Sequence, residues 1–309
     1  MCPNIRPRGD YRMTALEHLS TLVSAIIPTF NAADYVSQAV TSVLASRGVR
    51  VEVIVIDDQS TDATWQVLER FGGAIQKVRQ QKGGPYKARN LGARLARGEW
   101  LAFLDADDEW LPDKLARQLA AADEDAELIF TDCENFGACH RVKARQSDTT
   151  EFFDGEVFEQ LLLGNFISLS SVLMRRDCFE RLGGFSEEHT GVQDWDLWLR
   201  YVAAGGRVKV VRDALTRYRI HAGQMTQNLD LRAAERLAVL ERALSSSRGR
   251  RVSRETARRA RANVWEIGAW LAAPRHRTKA IGWYLRAARH WPWNLRLYKG
   301  IVKCCLNRA

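Results

Sequence analysis

The chain is predicted to be an α/β protein, a largely parallel sheet with flanking helices, followed by a C-terminal helical extension. Three observations carry that prediction. Short apolar runs alternate with helix-period segments over the first hundred residues. Several of those runs stop abruptly on polar or acidic residues. From about residue 229 onward the period is helical throughout, broken at Pro274 and Pro292.

Residues 22–27 form a first strand that should stop at Pro28, leaving Thr29 and Asn31 to offer a hydroxyl and an amide at its carboxyl end. Residues 34–46 carry Val36, Val40, Val43 and Leu44 at helical spacing. A second strand over 51–56 runs into Asp57-Asp58-Gln59-Ser60-Thr61-Asp62, where Thr61 or Asp62 can cap a helix reaching Phe71. A short third strand over 75–78 leads to Lys82-Gly83-Gly84-Pro85. Glycines there let backbone approach a ligand, and Lys82, Lys87 and Arg89 bring positive charge. The next helix, through Ala96, delivers the chain to Trp100-Leu101-Ala102-Phe103-Leu104.

That fourth run is apolar enough to be buried on both faces, and it ends in Asp105, Asp107 and Asp108, with Pro112 where a helix can begin. The carboxyl end of a buried parallel strand is where α/β sheets bind ligands. Carboxylates this close repel one another unless they share a cation, and hard oxygen ligands suit Mg²⁺ or Mn²⁺. Alone, the acidic turn reads equally well as a solvated helix cap. The convergence of several polar strand ends on one edge argues for a site.

Residues 128–131 read as a further strand, 134–151 as a loop, and 166–174, by alternation, as a strand lining a second half of the cleft. Residues 176–182 form a short helix closed by Gly183-Gly184. Trp195, Trp198, Leu199 and Val202 recur at helical spacing, which places Asp194 in a first turn and Asp196 on another face as a structural residue. A late strand covers 208–211. Helices are expected over 231–244, 253–271, 277–290 and 294–306, and Trp195, Trp198, Trp265, Trp270 and Trp283 fall at core spacing.

A composition of 46% hydrophobic and 27% charged residues is that of a folded globular chain. No run approaches the eighteen or so apolar residues that span a bilayer. Residues 1–20 are expected to be a disordered leader without the apolar core of a secretory signal, with Met13 as an alternative start. The six cysteines form no Cys-x-x-Cys pair, and Cys133, Cys139 and His140 lack a fourth zinc ligand, which points to a reduced, cytoplasmic protein. Charge is uneven: residues 231–309 hold nineteen Lys and Arg against four Asp and Glu, whereas the first 230 residues are net acidic. Such an asymmetry suggests catalysis in front and attachment to an anionic surface behind.

Several of these pieces occur together in one known family. Pro28-Thr29-Phe30-Asn31, the turn from Asp57 to Asp62, Ala88-Arg89-Asn90-Leu91-Gly92, Asp105-Ala106-Asp107, Gly183-Gly184-Phe185, Gln193-Asp194-Trp195-Asp196-Leu197 and Tyr218-Arg219-Ile220-His221 follow in that order. Over residues 22–226 the chain resembles the inverting family 2 glycosyltransferases of GT-A fold, which use nucleotide-diphosphate sugar donors. The resemblance implies a GT-A catalytic domain over 21–228 and a basic helical extension over 229–309. It implies that Pro28, Thr29, Asn31, Asp57, Asp58, Arg89 and Asp105 hold the nucleotide. It also implies that Asp105, Asp107 and His221 hold Mg²⁺ or Mn²⁺, with Asp107 the more direct ligand, and that Asp194 is the general base. One departure stands out: the acid that usually precedes the base is Gln193 here. Trp110 and Trp195 could stack on a sugar.

The chemistry agrees. Transfer needs a stabilised diphosphate leaving group and a separate carboxylate to take the acceptor proton. A metal-dependent nucleotidyltransferase would carry a glycine-rich loop after the first strand, where Pro28-Thr29-Phe30-Asn31 stands. A dinucleotide enzyme would carry Gly-x-Gly-x-x-Gly there. A non-catalytic nucleotide-sugar-binding protein is the remaining alternative, against which Asp105, Asp107 and Asp194 argue. The expected acceptor is a saccharide or lipid-linked saccharide in cell-surface polysaccharide or glycolipid synthesis, and no nucleic acid is expected. The tail is expected to dock on an anionic membrane at its cytoplasmic face. Arg250, Arg254, Arg258 and Arg261 would share a helix face, and Trp283, Tyr284, Trp291, Trp293 and Tyr298 would mix with Arg286, Arg289, Arg296 and Lys299.

Overall fold

The structure, a computed structural model, describes residues 21–123, 125–137, 143–188, 191–221 and 229–306. The expected leader, Cys139 and His140 lie outside the described residues. Two compact units are present. The first takes the chain up to Glu156 with Ile167–Phe185 and Gly206–Ala222; the second takes Val157–Phe166, Ser186–Gly205 and Gly223–Ala309.

The first unit is an eight-stranded mixed sheet. In chain order the strands are β1 (Leu22–Thr29), β2 (Arg50–Asp57), β3 (Gln76–Arg79), β4 (Trp100–Phe103), β5 (Glu109–Trp110), β6 (Leu128–Gly137), β7 (Leu173–Arg175) and β8 (Val208–Ile220). Their order across the sheet is β3-β2-β1-β4-β7-β6-β8-β5. β3, β2, β1 and β4 are mutually parallel, so their carboxyl ends share one edge: Thr29 registers with Asp57, and Asp57 with Arg79. The chain steps outward from β1 to β2 and β3, then returns to β1's other side at β4. That reversal opens a crevice between the ends of β1 and β4.

Helices α1 (Val36–Leu44), α2 (Thr64–Glu69) and α3 (Pro85–Leu95) are the crossovers, and α4 (Lys114–Ala120) follows β5. Ile27, Val36, Val40, Val55, Leu68, Leu104 and Leu115 belong to one buried cluster. α3 approaches β1 so closely that a Cβ on Gly92 would stand 2.5 Å from Ile26 Cγ2. At the opposite edge, Glu52 ties three parallel strands together. It accepts from Ser24 Oγ (2.6 Å) and from the Arg97 and Gly98 N–H groups (2.7 and 3.2 Å).

Five expectations change here. Pro28 does not end β1; the strand continues through Thr29 because β4 pairs with β1 only as far as Ile26–Phe103, so no partner on that side needs a Pro28 N–H. β6 extends to Gly137 into the stretch expected as loop. β8, thirteen residues long rather than four, offers it a partner past a register shift at Thr131–Cys133. Only Leu173–Arg175 of the expected 166–174 strand pairs, because Ser168 O accepts from both the N–H and the hydroxyl of Ser171 (3.1 and 2.6 Å) and closes a 3₁₀ turn instead. Trp110 is buried and donates Nε1–H to Ser170 O (2.7 Å), so it packs rather than facing a ligand.

The second unit is helical: α5 (Phe158–Leu163), α7 (Gln193–Ala203), α8 (Leu229–Ser245), α9 (Arg254–Ala272), α10 (Arg277–His290) and α11 (Leu295–Cys305); α6 (Arg176–Arg181) belongs to the first. Ser253 and Asn294 cap α9 and α11 by accepting from Thr256 and Arg296 N–H, each at 3.0 Å. Small Ala262, Ala269, Ala280 and Ala287 let α9 and α10 close, and Trp283 and Tyr284 fill the seam. Trp195 is likewise buried, with Nε1–H on Leu161 O (2.7 Å). Thus Trp283 and Tyr284 belong to the core and not to an interfacial face, while Trp270, expected inside, is 69% exposed. The arginine row is shortened: Arg254, Arg258 and Arg261 share α9 at helical spacing, but Arg250 lies in a 3₁₀ turn ahead of the Ser253 cap, and Arg261 is held by Glu241 at 2.6 and 2.7 Å.

Lys114 is the unusual member of the first core. It is fully buried, donates Nζ–H to Gln118 Oε1 (2.7 Å) and lies over the Trp110 ring at 4.3 Å. Burial pushes its ammonium down to about 7. The unfolded chain keeps this proton to about pH 10.4, so between about pH 7 and 10 unfolding takes up a proton and stability rises with pH. The slope from this group is at most about 1.4 kcal/mol per pH unit. Lys114→Met should remove that slope and raise the melting temperature at pH 7; parallel pH profiles for variant and parent would refute the assignment.

Candidate functional site

The site is built where β1, β2 and β4 end and where the chain leaves β8. Its first half fixes loop geometry. Asp57 is fully buried and accepts from Ser60 N–H (3.1 Å) and Arg79 Nε (2.7 Å). Asp58 accepts from Gln80 Nε2 and Gly83 N–H at Oδ1, both 2.7 Å, and from Gly84 N–H at Oδ2 (2.8 Å). The two acids expected on the nucleotide therefore also shape the glycine turn that opens α3. Gly84 has φ +89, a conformation that favours glycine. Asn31, at φ +48, accepts from Thr61 N–H (2.8 Å), and its own N–H donates to Ser60 Oγ (2.9 Å), clamping the β1 and β2 ends together. Asp62 accepts from Thr64 and Ala33 N–H (3.0 and 3.2 Å), tying the β1 loop to the start of α2, whose cap position is Ala63 rather than Thr61 or Asp62. Thr29 Oγ1 is buried here without a hydrogen-bond partner. A buried hydroxyl in that state leaves room for a water or a ligand atom as its partner.

The second half gathers charge. Oxygens of Asp105, Asp107 and Asp108 lie within 4.8 Å of one another. Asp105 pairs with Arg89, which α3 delivers almost fully buried. Asp107 Oδ2 meets His221 Nε2 at 2.9 Å, and Tyr35 lies against the same imidazole at 5.0 Å between ring centroids. Burial and then the Asp105 charge raise the Asp107 carboxyl above its ordinary value, against the pull of His221. Asp108 is shifted further upward, by burial and then by Asp105 and Asp107.

Asp108 stood in the sequence only as one of three clustered acids, and its separate role comes from its partners. Its Oδ2 accepts from Ser170 Oγ (2.6 Å) and its Oδ1 from Arg219 N–H (2.9 Å). Ser170 Oγ in turn accepts from Asp105 N–H (3.2 Å). Arg219 also donates from Nε to Asp107 O (2.8 Å) and from Nη2 to Glu109 (2.9 Å). Asp108 thus holds the acidic loop against β8 while Asp105 and Asp107 stay partly exposed. The third acid of the motif was a visible signal; Ser170, 62 residues away, gave none. Carboxylate oxygens joined by one imidazole nitrogen make a donor set that a divalent cation such as Mg²⁺ or Mn²⁺ takes, so Asp105, Asp107 and His221 fit such an ion.

The remaining motif residues have structural reasons. Asn90 donates Nδ2–H to Phe185 O (2.9 Å) and accepts from Phe185 N–H (3.0 Å), and a Cβ on Gly184 would stand 2.7 Å from its Oδ1. Gly183 and Gly184 have φ +78 and +70, the helix-ending conformation expected of them.

In the second unit, Asp194 occupies the first turn of α7 and accepts from Asn165 Nδ2 (2.8 Å). Arg236 of α8 is near enough to interact electrostatically with it; burial lowers that guanidinium and the Asp194 charge opposes the shift. Asp196 is buried, accepting from Arg200 (2.9 Å) and Arg242 (3.2 Å), which makes it structural as expected.

Comparison with known proteins places this geometry. Residues 24–183, more than half of the chain, match the model for Glycosyl transferase family 2. An uncharacterized glycosyltransferase of Rickettsia prowazekii is 29% identical over 214 residues, 67% of this chain and 66% of that protein, so the chain spans slightly under two thirds of that relative. The Escherichia coli UDP-Glc:alpha-D-GlcNAc-diphosphoundecaprenol beta-1,3-glucosyltransferase WfaP is 27% identical over 67% of this chain and 80% of its own. Among solved structures, S. aureus TarS in complex with UDP-GlcNAc aligns over 93% of this chain and 92% of that one, with a TM-score of 0.59 at 19% identity. The mannosyltransferase PcManGT from Pyrobaculum calidifontis, in complex with GDP-Man and Mn²⁺, aligns over 93% and 86%, with a TM-score of 0.57 at 17% identity. The structural likenesses show a shared fold of the GT-A type, and with the match over residues 24–183 they establish that the chain belongs to glycosyl transferase family 2.

Proposed function

We propose that this chain transfers a sugar from a nucleotide-diphosphate donor to an acceptor hydroxyl with inversion, in the synthesis of a cell-surface polysaccharide or glycolipid. The observation that carries the reading is the gathering of Asp105, Asp107, Arg89 and His221 at the β4 end beside the β1 and β2 loops. The diphosphoundecaprenol-linked acceptor of WfaP supports a lipid-linked saccharide as acceptor here.

In this reading the β1 and β2 ends receive the nucleoside, with Pro28, Thr29, Asn31, Asp57 and Asp58 forming the pocket. Arg89 orients Asp105 toward the ribose and adds charge that the diphosphate can use. Asp107, Asp105 and His221 hold Mg²⁺ or Mn²⁺, which when bound supplies Lewis-acid stabilisation of the leaving diphosphate. Asp194 takes the acceptor proton. Asn165 donates to this carboxylate and orients it. With Gln193 in place of an acid, the other carboxylate of that turn is Asp196, which is buried and already paired with Arg200 and Arg242.

Release of nucleoside diphosphate from a panel of nucleotide sugars tests the reaction class. A chain that binds a donor but never turns one over, with any acceptor, would be a binding protein instead. Asp107→Ala should abolish Mn²⁺-dependent nucleotide binding by calorimetry and with it transfer; undiminished transfer by this variant in excess chelator would remove the metal from the reading. Asp108→Ala should act differently, stripping acceptors from Ser170 and Arg219 and costing about 2 kcal/mol or more in urea unfolding. Asp194→Asn is nearly isosteric. It should keep donor affinity while transfer falls about 10²–10⁴-fold. Native turnover by that variant would place the base elsewhere.

A further inference from the structure

Most of the exposed large apolar side chains belong to the second unit, and they concentrate on one helix. The inner side of α11 is packed: Leu297 and Cys304 are buried, Ile301 lies against the helical core, and a Cβ on Gly300 would come within 2.4 Å of the Tyr284 ring. On the other side Leu295, Tyr298, Val302 and Leu306 are 70%, 42%, 52% and 58% exposed. At one turn per 3.6 residues these four fall within an arc of about 80°, roughly opposite the packed side. Trp293, just ahead of the helix, is 80% exposed. Tyr298 donates its hydroxyl to Pro292 O (2.9 Å), which anchors the ring in this outer face.

Charge runs along one flank of the stripe. Arg296, Lys299 and Lys303 follow it at helical spacing, and α11 contains no acidic residue. A helix with one side in the core and a second apolar stripe in water, bordered by long cations and preceded by tryptophan, has the profile of an element that lies in a membrane interface. Pairing with a second copy is disfavoured by the same charges. A two-fold contact along this stripe would bring the two Arg296–Lys303 rows together with no carboxylate from either helix between them.

We infer that the outer face of α11 docks on an anionic lipid bilayer. Leu295, Tyr298, Val302 and Leu306 enter the headgroup boundary, and Arg296, Lys299 and Lys303 meet lipid phosphates. The inference deepens the membrane part of the proposed function and rests on it for its purpose, but the surface is chosen by exposure. It keeps Trp293, Tyr298, Arg296 and Lys299 of the sequence reading and moves the apolar contact from Trp283 and Tyr284 to a short, mostly aliphatic stripe.

The test is sedimentation of the full chain with vesicles of phosphatidylglycerol and phosphatidylcholine, and with phosphatidylcholine alone. Binding should require the anionic lipid and fall with salt. Combined Leu295→Asp, Val302→Asp and Leu306→Asp should reduce partitioning about tenfold or more, and Arg296→Gln, Lys299→Gln and Lys303→Gln should do so as an independent set. Both sets alter exposed positions, so their melting temperatures should match the parent's, and nucleotide-sugar turnover with a soluble acceptor should persist. Undiminished binding by the aspartate set, equal binding to both vesicle types, or no binding by the parent would overturn the inference. So would a parent dimer in sedimentation velocity that the aspartate set dissolves. A chain that binds vesicles through this face yet turns over no donor would refute the glycosyl-transfer reading and leave this one standing.

Discussion

Mutual repulsion among Asp105, Asp107 and Asp108 is the constraint on which the first unit depends. Three carboxylates with oxygens inside 4.8 Å would push apart the loop that carries them. The fold opposes this from three directions: Arg89 from α3, His221 from the chain beyond β8, and the Ser170 hydroxyl with the Arg219 N–H around Asp108. The compensation is graded. Asp108 is enclosed and saturated, whereas Asp105 and Asp107 each keep a partly exposed carboxylate, the first beside Arg89 and the second beside His221. That gradient separates the acid that holds the loop from the acids that remain open to a ligand.

The parallel half of the sheet was legible because its strands are short apolar runs whose ends are marked by acids, glycines and prolines within a few residues. The same local punctuation located Asp57, Asp58, Arg89 and Asp105. Legibility failed where a partner far along the chain decides the outcome. β6 runs past Asp132 only because β8 lies beside it, and nothing within 134–151 announces that. Alternation from Phe166 to Met174 looked like a strand, yet the Ser171 hydroxyl reached Ser168 O first. Ser170 and Arg219 matter to the acidic loop through contacts spanning 62 and 111 residues, which no spacing rule reads.

The helical extension shows a different limit. Residue type predicted that tryptophan and tyrosine would face outward among cations; Trp293 and Tyr298 do so, but Trp283 and Tyr284 are what the small alanines of α9 and α10 leave room for. The exposed stripe is instead mostly aliphatic, on a helix whose sequence is apolar on two sides. Hydrophobicity at a position says that something should cover it. Which neighbour does so is a property of the packing, and among the described residues of α11 only one of the two sides finds its cover.

The span of the Asp108 contacts also orders events in time. β1 to β4 pair over short separations and can assemble as soon as about a hundred residues are available. The acidic loop is then already present, with Arg89 within reach, but Ser170 is 62 residues ahead and the Arg219 N–H is 111. During vectorial synthesis the sheet edge therefore carries an incompletely compensated anionic loop until β8 emerges and closes it. Strand β8, the last to be made, is both the partner that extends β6 and the element that makes the acidic loop compatible with a folded state.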